Sequence, residues 1–278
     1  MVPPTSHSDG LGRYRLTPET DTPTVSEVLS ETVTDAPTRT QRRHAARRAE
    51  LLELAGGIVD GDGLDALTMT SLAAAADYAP ASLYTYFASR SALLAALQEQ
   101  ALTRLADAAT DAVRRWDDDL AAAGRRTDDR VGALARLWAF SDLVVRAPEE
   151  HPRDFVLQQD LLAAVGAETE ADAAGVVPAA MAVLAVPSSL LLDAERCGAV
   201  DPADDPLTRT LVWVAALNGA LLAGRVRAGL PLTTSDLADH LTATVLLGWG
   251  APADDVAAAR ALAQPWRTPA RSERSEEW

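Results

Sequence analysis

Apolar residues recur at helical spacing along most of the chain, in blocks cut by glycine, proline and aspartate. Leu51, Leu52, Ala55, Ile58 and Val59 form one such stripe, which predicts a helix over 42–61 that Gly61 and Gly63 stop. Two very short helices follow, over 70–76 and 80–87, separated by Asp77, Tyr78 and Ala79. Pro80 suits a first helical turn, where an amide hydrogen has no partner anyway. A longer helix is expected over 90–116, with Ser89 as its N-cap and Leu94, Leu97, Ala101 and Leu105 along one face. After an acidic break over 117–129, further helices are expected at 129–147, 152–165, 170–195, 207–229, 234–249 and 252–264. Prolines 148, 152, 178, 187, 206 and 231 mark ends and kinks among them. No segment alternates as a strand would, and no internal repeat is found. The fold class is therefore all-α.

Two stretches fall outside this pattern. Residues 1–38, rich in Pro, Thr, Ser and acids, read as a disordered tail. Residues 265–278 read as a polar C-terminal tail.

Composition agrees with helix. The chain has 278 residues, of which 56 are alanine, and only 5% are aromatic. Its single cysteine, Cys197, excludes an intramolecular disulfide and favours a reducing compartment. No signal segment opens the chain, and no 18-residue apolar run is free of both charge and proline, so a soluble cytoplasmic protein is expected.

The net charge of −15 argues at first against nucleic acid as a partner. Its distribution changes that reading. Residues 39–116 hold 9 arginines and 9 acids, whereas 117–278 carry −11 and 1–38 carry −4. Every basic residue is arginine, and Arg39, Arg42, Arg43, Arg47 and Arg48 fall within ten residues that contain no acid. Such a cluster is either a solvated helix face or a phosphate-facing arm, since counterion release rewards local charge.

Two short helices joined by a three-residue turn, with a longer helix on each side, form the pattern of a helix-turn-helix. Leu72, Ala73, Ala76, Leu83 and Phe87 can close a small core on the 51–59 stripe, which leaves the outer face of the second short helix free for a major groove.

The run GLDALTMTSLAAAADYAPASLYTYFASRSALLAAL, Gly63 to Leu97, resembles the tetracycline-repressor (TetR) family of transcriptional regulators. The resemblance rests on Gly63, Leu67-Thr68-Met69, Leu72-Ala73, Leu83-Tyr84, Tyr86-Phe87, Ser89-Arg90 and Leu93-Leu94, and extends over about Arg42 to Leu105. It implies a DNA-binding domain at 39–105, with its motif at about 68–87, and a helical effector-binding and dimerisation domain at 106–264. It further implies two-fold dimers on double-stranded operator DNA, a small-molecule effector and repression, with activation as the alternative. The DNA-facing positions implied are Thr68, Thr70, Pro80, Ala81, Ser82, Tyr84, Thr85, Tyr86 and Arg90, with Arg42, Arg43 and Arg47 in the arm.

The chemistry of these residues suits that task. Tyrosine and threonine hydroxyls donate to phosphates, and Arg90 adds charge at a helix N-terminus. Ser82 and Thr85 reach base edges, while Ala81 meets thymine methyls. The alternative for Tyr84 and Tyr86 is packing in the core. Three positions depart from the family pattern: Asp77 stands where a glycine with positive φ is usual, Tyr78 replaces a small apolar residue, and Ala79 replaces a hydroxyl cap. The second short helix also lacks Arg, Lys, Asn and Gln, which shifts readout toward phosphates and DNA shape.

In the second half, helices near 207–229 and 234–249 carry apolar and small residues that suit a four-helix bundle with a second copy. Candidate ligand-lining residues are Trp138, Phe155, Gln158, Met181, Trp213 and Asn218, with Leu157, Leu161, Leu184 and Arg225 beside them. The acidic excess of this half leaves a cationic effector open. An enzyme is not expected: the four histidines have no metal spacing, Cys197 has no sequence-proximal histidine, and no glycine-rich phosphate loop occurs. No metal or cofactor is called for. A helical interaction or scaffold protein that never touches DNA is the competing class.

Overall fold

A computed structural model of the chain describes residues 38–126, 129–163, 170–226 and 233–267. The predicted tail at 1–38 lies outside them except for Thr38, as do residues 268–278 of the C-terminal tail. Among the described residues there are ten α-helices and no strand. They are α1 (Arg39–Asp62), α2 (Met69–Ala76), α3 (Pro80–Leu83), α4 (Arg90–Ala122), α5 (Arg130–Glu150), α6 (Pro152–Ala163), α7 (Glu170–Arg196), α8 (Pro206–Val226), α9 (Thr234–Gly248) and α10 (Ala253–Arg267).

The chain divides between Arg43 and His44 into two units. The described part of the first is the start of α1. There Thr38 and Gln41 cap each other: Thr38 N donates to Gln41 Oε1 (2.7 Å), and Gln41 N donates to Thr38 Oγ1 (3.2 Å). This cap starts the helix three residues before its predicted start at residue 42, and Arg39, Arg42 and Arg43 are exposed on it.

The second unit has two principal cores. In the N-terminal one, Leu51, Leu52, Ala55 and Val59 of α1 meet Leu72 and Ala73 of α2, Leu83, Phe87, and Leu93 and Leu97 of α4. The other surrounds α5, which touches every helix from α4 to α10. Eleven consecutive buried residues, Gly132–Asp142, mark it as the central helix of this body.

Several helices outrun their predicted ends. The expected break at 117–129 shrinks because α4 continues to Ala122. Trp116 and Leu120 extend its buried face, while Asp118 and Asp119 stay in solvent and Asp117 pairs with Arg136 (3.3 Å). α5 runs through Pro148, its last turn held by Arg146 paired to Asp142 (2.7 Å) and Glu150 (2.6 Å). The C-terminal tail begins later than residue 265, since Pro265–Arg267 complete α10. Trp266 stacks on Trp116 (6.2 Å), and Arg267 pairs with Asp239 (2.6 Å).

Stretches of α7 (Asp172–Arg196) and α8 (Pro206–Gly224) are long and apolar enough to cross a membrane by length and composition alone. Their apolar residues divide between the core and the surface. Val176, Leu190, Leu191, Trp213 and Leu217 are buried, whereas Val177, Met181, Leu192, Leu207, Leu211, Val212 and Leu222 face outward.

Candidate nucleic-acid interface

The segment from Gly63 to Phe87 is shaped by local hydrogen bonds. Thr68 caps α2: its Oγ1 accepts from Ser71 N (3.0 Å), and its own N–H donates to Ser71 Oγ (2.9 Å), a reciprocal box that seals the helix start. Ser71 is thus a functional neighbour of Thr68 that the motif reading passed over. At the other end of α2, Asp77 adopts the left-handed conformation (φ 57°, ψ 47°) and its N–H bonds the carbonyls of Ala73 and Ala74. Aspartate therefore does what glycine does elsewhere, at a steric cost.

Pro80 opens α3, and Ala79 supplies no side-chain cap. The α-helix is shorter than the predicted 80–87. It ends at Leu83, and Tyr86 N donates to Leu83 O (2.9 Å), three residues back, in a tightened turn that carries Tyr84, Thr85 and Tyr86. A four-residue helix anchored by one buried leucine leaves the rest of its surface to solvent. Pro80, Ala81, Ser82 and Thr85 are exposed, as are Thr68 and Thr70 on α2.

The two tyrosines part company. Tyr84 is 55% exposed, so core packing does not account for it. Tyr86 is half-buried at the edge of the core and stacks on His44 (ring centroids 4.7 Å apart), whose Nε2 lies 3.4 Å from the Thr85 carbonyl.

Two arginines have protein partners that spacing did not disclose. Arg47 donates through Nε to the Tyr78 hydroxyl (3.0 Å) and through a terminal nitrogen to Glu50 (2.6 Å), with its guanidinium over the Tyr78 ring. Glu50 first, then the Tyr78 hydroxyl, raise the pKa of Arg47 above its ordinary value. Tyr78 thus joins the turn after α2 to α1, its hydroxyl and ring both meeting Arg47. Arg90, at the start of α4, donates to the backbone carbonyls of Leu67 (2.7 Å) and Leu64 (3.3 Å). Its side chain remains exposed. Ser89 caps α4 as expected, its Oγ accepting from Ala92 N (3.0 Å).

Behind this unit, α4–α8 enclose a cavity lined by fifteen residues, twelve of them apolar. Of the candidate ligand-lining residues, Phe155, Gln158, Asn218 and Leu184 are among them. The other candidates lie elsewhere. Trp138 is buried away from the cavity because its indole N–H donates to Asp239 (3.0 Å), which Arg260 and Arg267 also hold. Trp213 is core, packed between Phe140 (5.3 Å) and Trp249 (6.5 Å). Met181 is 50% exposed on the outer face of α7. Leu157 belongs to the N-terminal core, Leu161 packs on the small cluster around Leu102 and Val176, and the Arg225 side chain lies outside the described residues. His151, from the α5–α6 junction, lines the cavity and was not anticipated.

α6 connects cavity and N-terminal core. Phe155 and Gln158 face the cavity, while Leu157 is fully buried among Leu51, Leu93 and Leu97. Arg153 pairs bidentately with Asp60 of α1, through Nε at 2.9 Å and through a second nitrogen, and holds the Asp60 carboxyl below its ordinary pKa. Asp154 takes a bidentate bond from Arg104 of α4 (2.5–3.1 Å), and Asp160 accepts from Gln98 (3.1 Å).

Residues 60–97 match the family model described as bacterial regulatory proteins, tetR family. No curated protein matches the chain. Among solved structures, a protein of unknown function from Rhodococcus sp. RHA1 is similar at 27% identity, over 73% of this chain and 94% of that one, with a TM-score of 0.56. RolR in complex with resorcinol shares the fold at 19% identity and TM-score 0.53, over 80% and 95% of the two chains. So does FadR, a fatty acid degradation regulator from Bacillus halodurans, at 15% identity and TM-score 0.51, over 72% and 98%.

Proposed function

The chain carries the helix-turn-helix of the tetR family of bacterial regulatory proteins, and we infer that it acts as a dimeric repressor that leaves its operator when a small molecule enters the cavity. DNA-binding transcriptional regulation follows from the family. The regulatory response is our reading, and one observation carries it: α6 lines the cavity with Phe155 and Gln158, and with Leu157 and Arg153 it grips the core and first helix of the DNA-binding unit. A compound that displaces the cavity face of so short a helix must also move its other face, because packed cores shift as bodies rather than deform.

On the DNA side, Ala81, Ser82 and Thr85 face base edges, and Tyr84, Thr68 and Thr70 face phosphates. Arg42 and Arg43 supply charge in a phosphate-facing arm. Arg47 and Arg90 contribute first by bracing the unit, through Tyr78 and through the Leu67 carbonyl. Dimerisation uses α8, whose outward residues Leu207, Leu211, Val212, Ala215, Gly219 and Leu222 carry no charge. α9 contributes less, since its outward positions include Asp236, His240 and Thr244. The protein acts in the cytoplasm, on its own genomic DNA.

A mobility-shift titration with DNA flanking its own gene tests the reading. A retarded dimer complex at low salt is expected. Absence of any shift there would sink the regulator reading in favour of a helical scaffold, and transcription that rises with added protein in a promoter-reporter assay would make it an activator.

A further inference from the structure

The net charge of the second half leaves a cationic effector open, yet the wall of the cavity carries neither a carboxylate nor a guanidinium. Two buried acids on the helices that form it are already paired: Asp142 with Arg146 (2.7 Å) and Asp154 with Arg104 (2.5 Å). A cationic compound would enter without a counter-charge, and an anion would meet no permanent positive charge, only the His151 imidazole; burying an unpaired charge is strongly unfavourable.

The wall instead offers neutral polarity. Gln158 is half-buried, and its amide has no hydrogen-bond partner among the described residues. It can donate and accept. Asn218 is already oriented, its Oδ1 accepting from Gln159 (2.8 Å) and its Nδ2 donating to the Val214 carbonyl (2.9 Å). Pro187, on the part of the wall formed by α7, has no N–H to return to the carbonyl of Val183, which leaves an acceptor on that helix.

Resting on the ligand-responsive reading above, we propose that the cavity takes an uncharged, mostly apolar compound bearing a hydroxyl or carbonyl group that meets Gln158. The apolar majority of the wall supplies affinity, and Gln158 supplies selection, because a site built around a polar group discriminates against a partner that leaves it unpaired.

Four probes of one shape separate the possibilities: 4-butylphenol, butylbenzene, 4-butylbenzoate and 4-butyl-N,N,N-trimethylanilinium. Each is titrated into the full-length protein, followed by tryptophan fluorescence and by thermal shift; Trp213 lies 5.3 Å from Phe140, a wall residue, and reports on occupancy. The phenol is expected to bind at least about tenfold tighter than the other three, and Gln158→Leu to bring it down to the level of butylbenzene. Either ion binding as tightly as the phenol, in competition with it, would overturn the proposed class and leave ligand response standing. A phenol affinity unchanged in Gln158→Leu would overturn the role of Gln158. If none of the four binds at millimolar concentration, the cavity is not a ligand site, and the ligand-responsive reading fails with the proposal.

Discussion

Arg90 Nε donates to the backbone carbonyl of Leu67 across 2.7 Å and 23 residues of chain, so the first residue of α4 holds the loop that enters α2. A residue placed by its motif at the DNA phosphates is in the first instance a brace for the helix-turn-helix. Arg90→Ala removes two charge-assisted bonds from an exposed side chain, a loss of about 1 kcal/mol. For a chain of this size that lowers Tm by about 2–4 °C. Arg90→Lys keeps the charge and loses the fork, so it should show most of the same fall. An unchanged Tm in both variants would remove the brace and leave Arg90 free for phosphate.

Asp77 holds a left-handed turn at φ 57° that glycine adopts without steric cost. Asp77→Gly should therefore raise stability, by about 0.5 kcal/mol once the extra freedom of the unfolded glycine is subtracted. Asp77→Val should lower it by more than that, because a branched side chain resists this conformation. Denaturant midpoints at equal slope decide both, and a loss on Asp77→Gly would show that the carboxylate matters more than the backbone.

The helix-turn-helix was legible because its signals are local: an apolar spacing, a proline at a helix start and a cap at Ser89. What stayed hidden depended on partners far along the chain. Trp138 and Trp213 have the size and spacing of pocket walls. Trp138, however, is claimed by Asp239, 101 residues away, and Trp213 by Phe140 and Trp249. The acids at 117–119 read as a break because periodicity cannot tell a loop from the solvent side of a helix whose other side holds Trp116 and Leu120. Tyr78 looked like a departure from the family until Arg47 was seen lying on its ring.

The link through α6 predicts an uncoupled protein. Asp60→Asn weakens the grip of Arg153 on α1 while leaving the cavity intact, so probe binding should persist while release of DNA by the probe is reduced. The pair is partly exposed, and its worth to stability is at most about 1 kcal/mol. Because Arg153 lowers the folded pKa of Asp60, that contribution is present at neutral pH. It disappears as pH falls below about 4 and the carboxyl protonates. Melting curves of wild type and Asp60→Asn should therefore differ at pH 7 and draw together as pH is lowered below about 4; a difference that does not narrow in acid would assign the effect to something other than the ion pair.

The arginines at the start of α1 should act through charge alone. Arg42 and Arg43 are exposed, so replacing either with alanine should leave Tm unchanged. Each arginine that neutralises a phosphate releases counterion, so each loss should reduce the slope of log K against log salt by about 0.9. The weakening should be the same on operator and on unrelated duplex, because phosphates carry no sequence. Thr85→Ala, on the turn after α3, should do the reverse: specific affinity falls, non-specific affinity holds, and the slope is unchanged. Fluorescence anisotropy across a salt series measures all three quantities on both duplexes. If Arg42→Ala and Arg43→Ala left the slope intact, the cluster would be a solvated helix face, and the acidic body would have to be overcome by the helix-turn-helix alone.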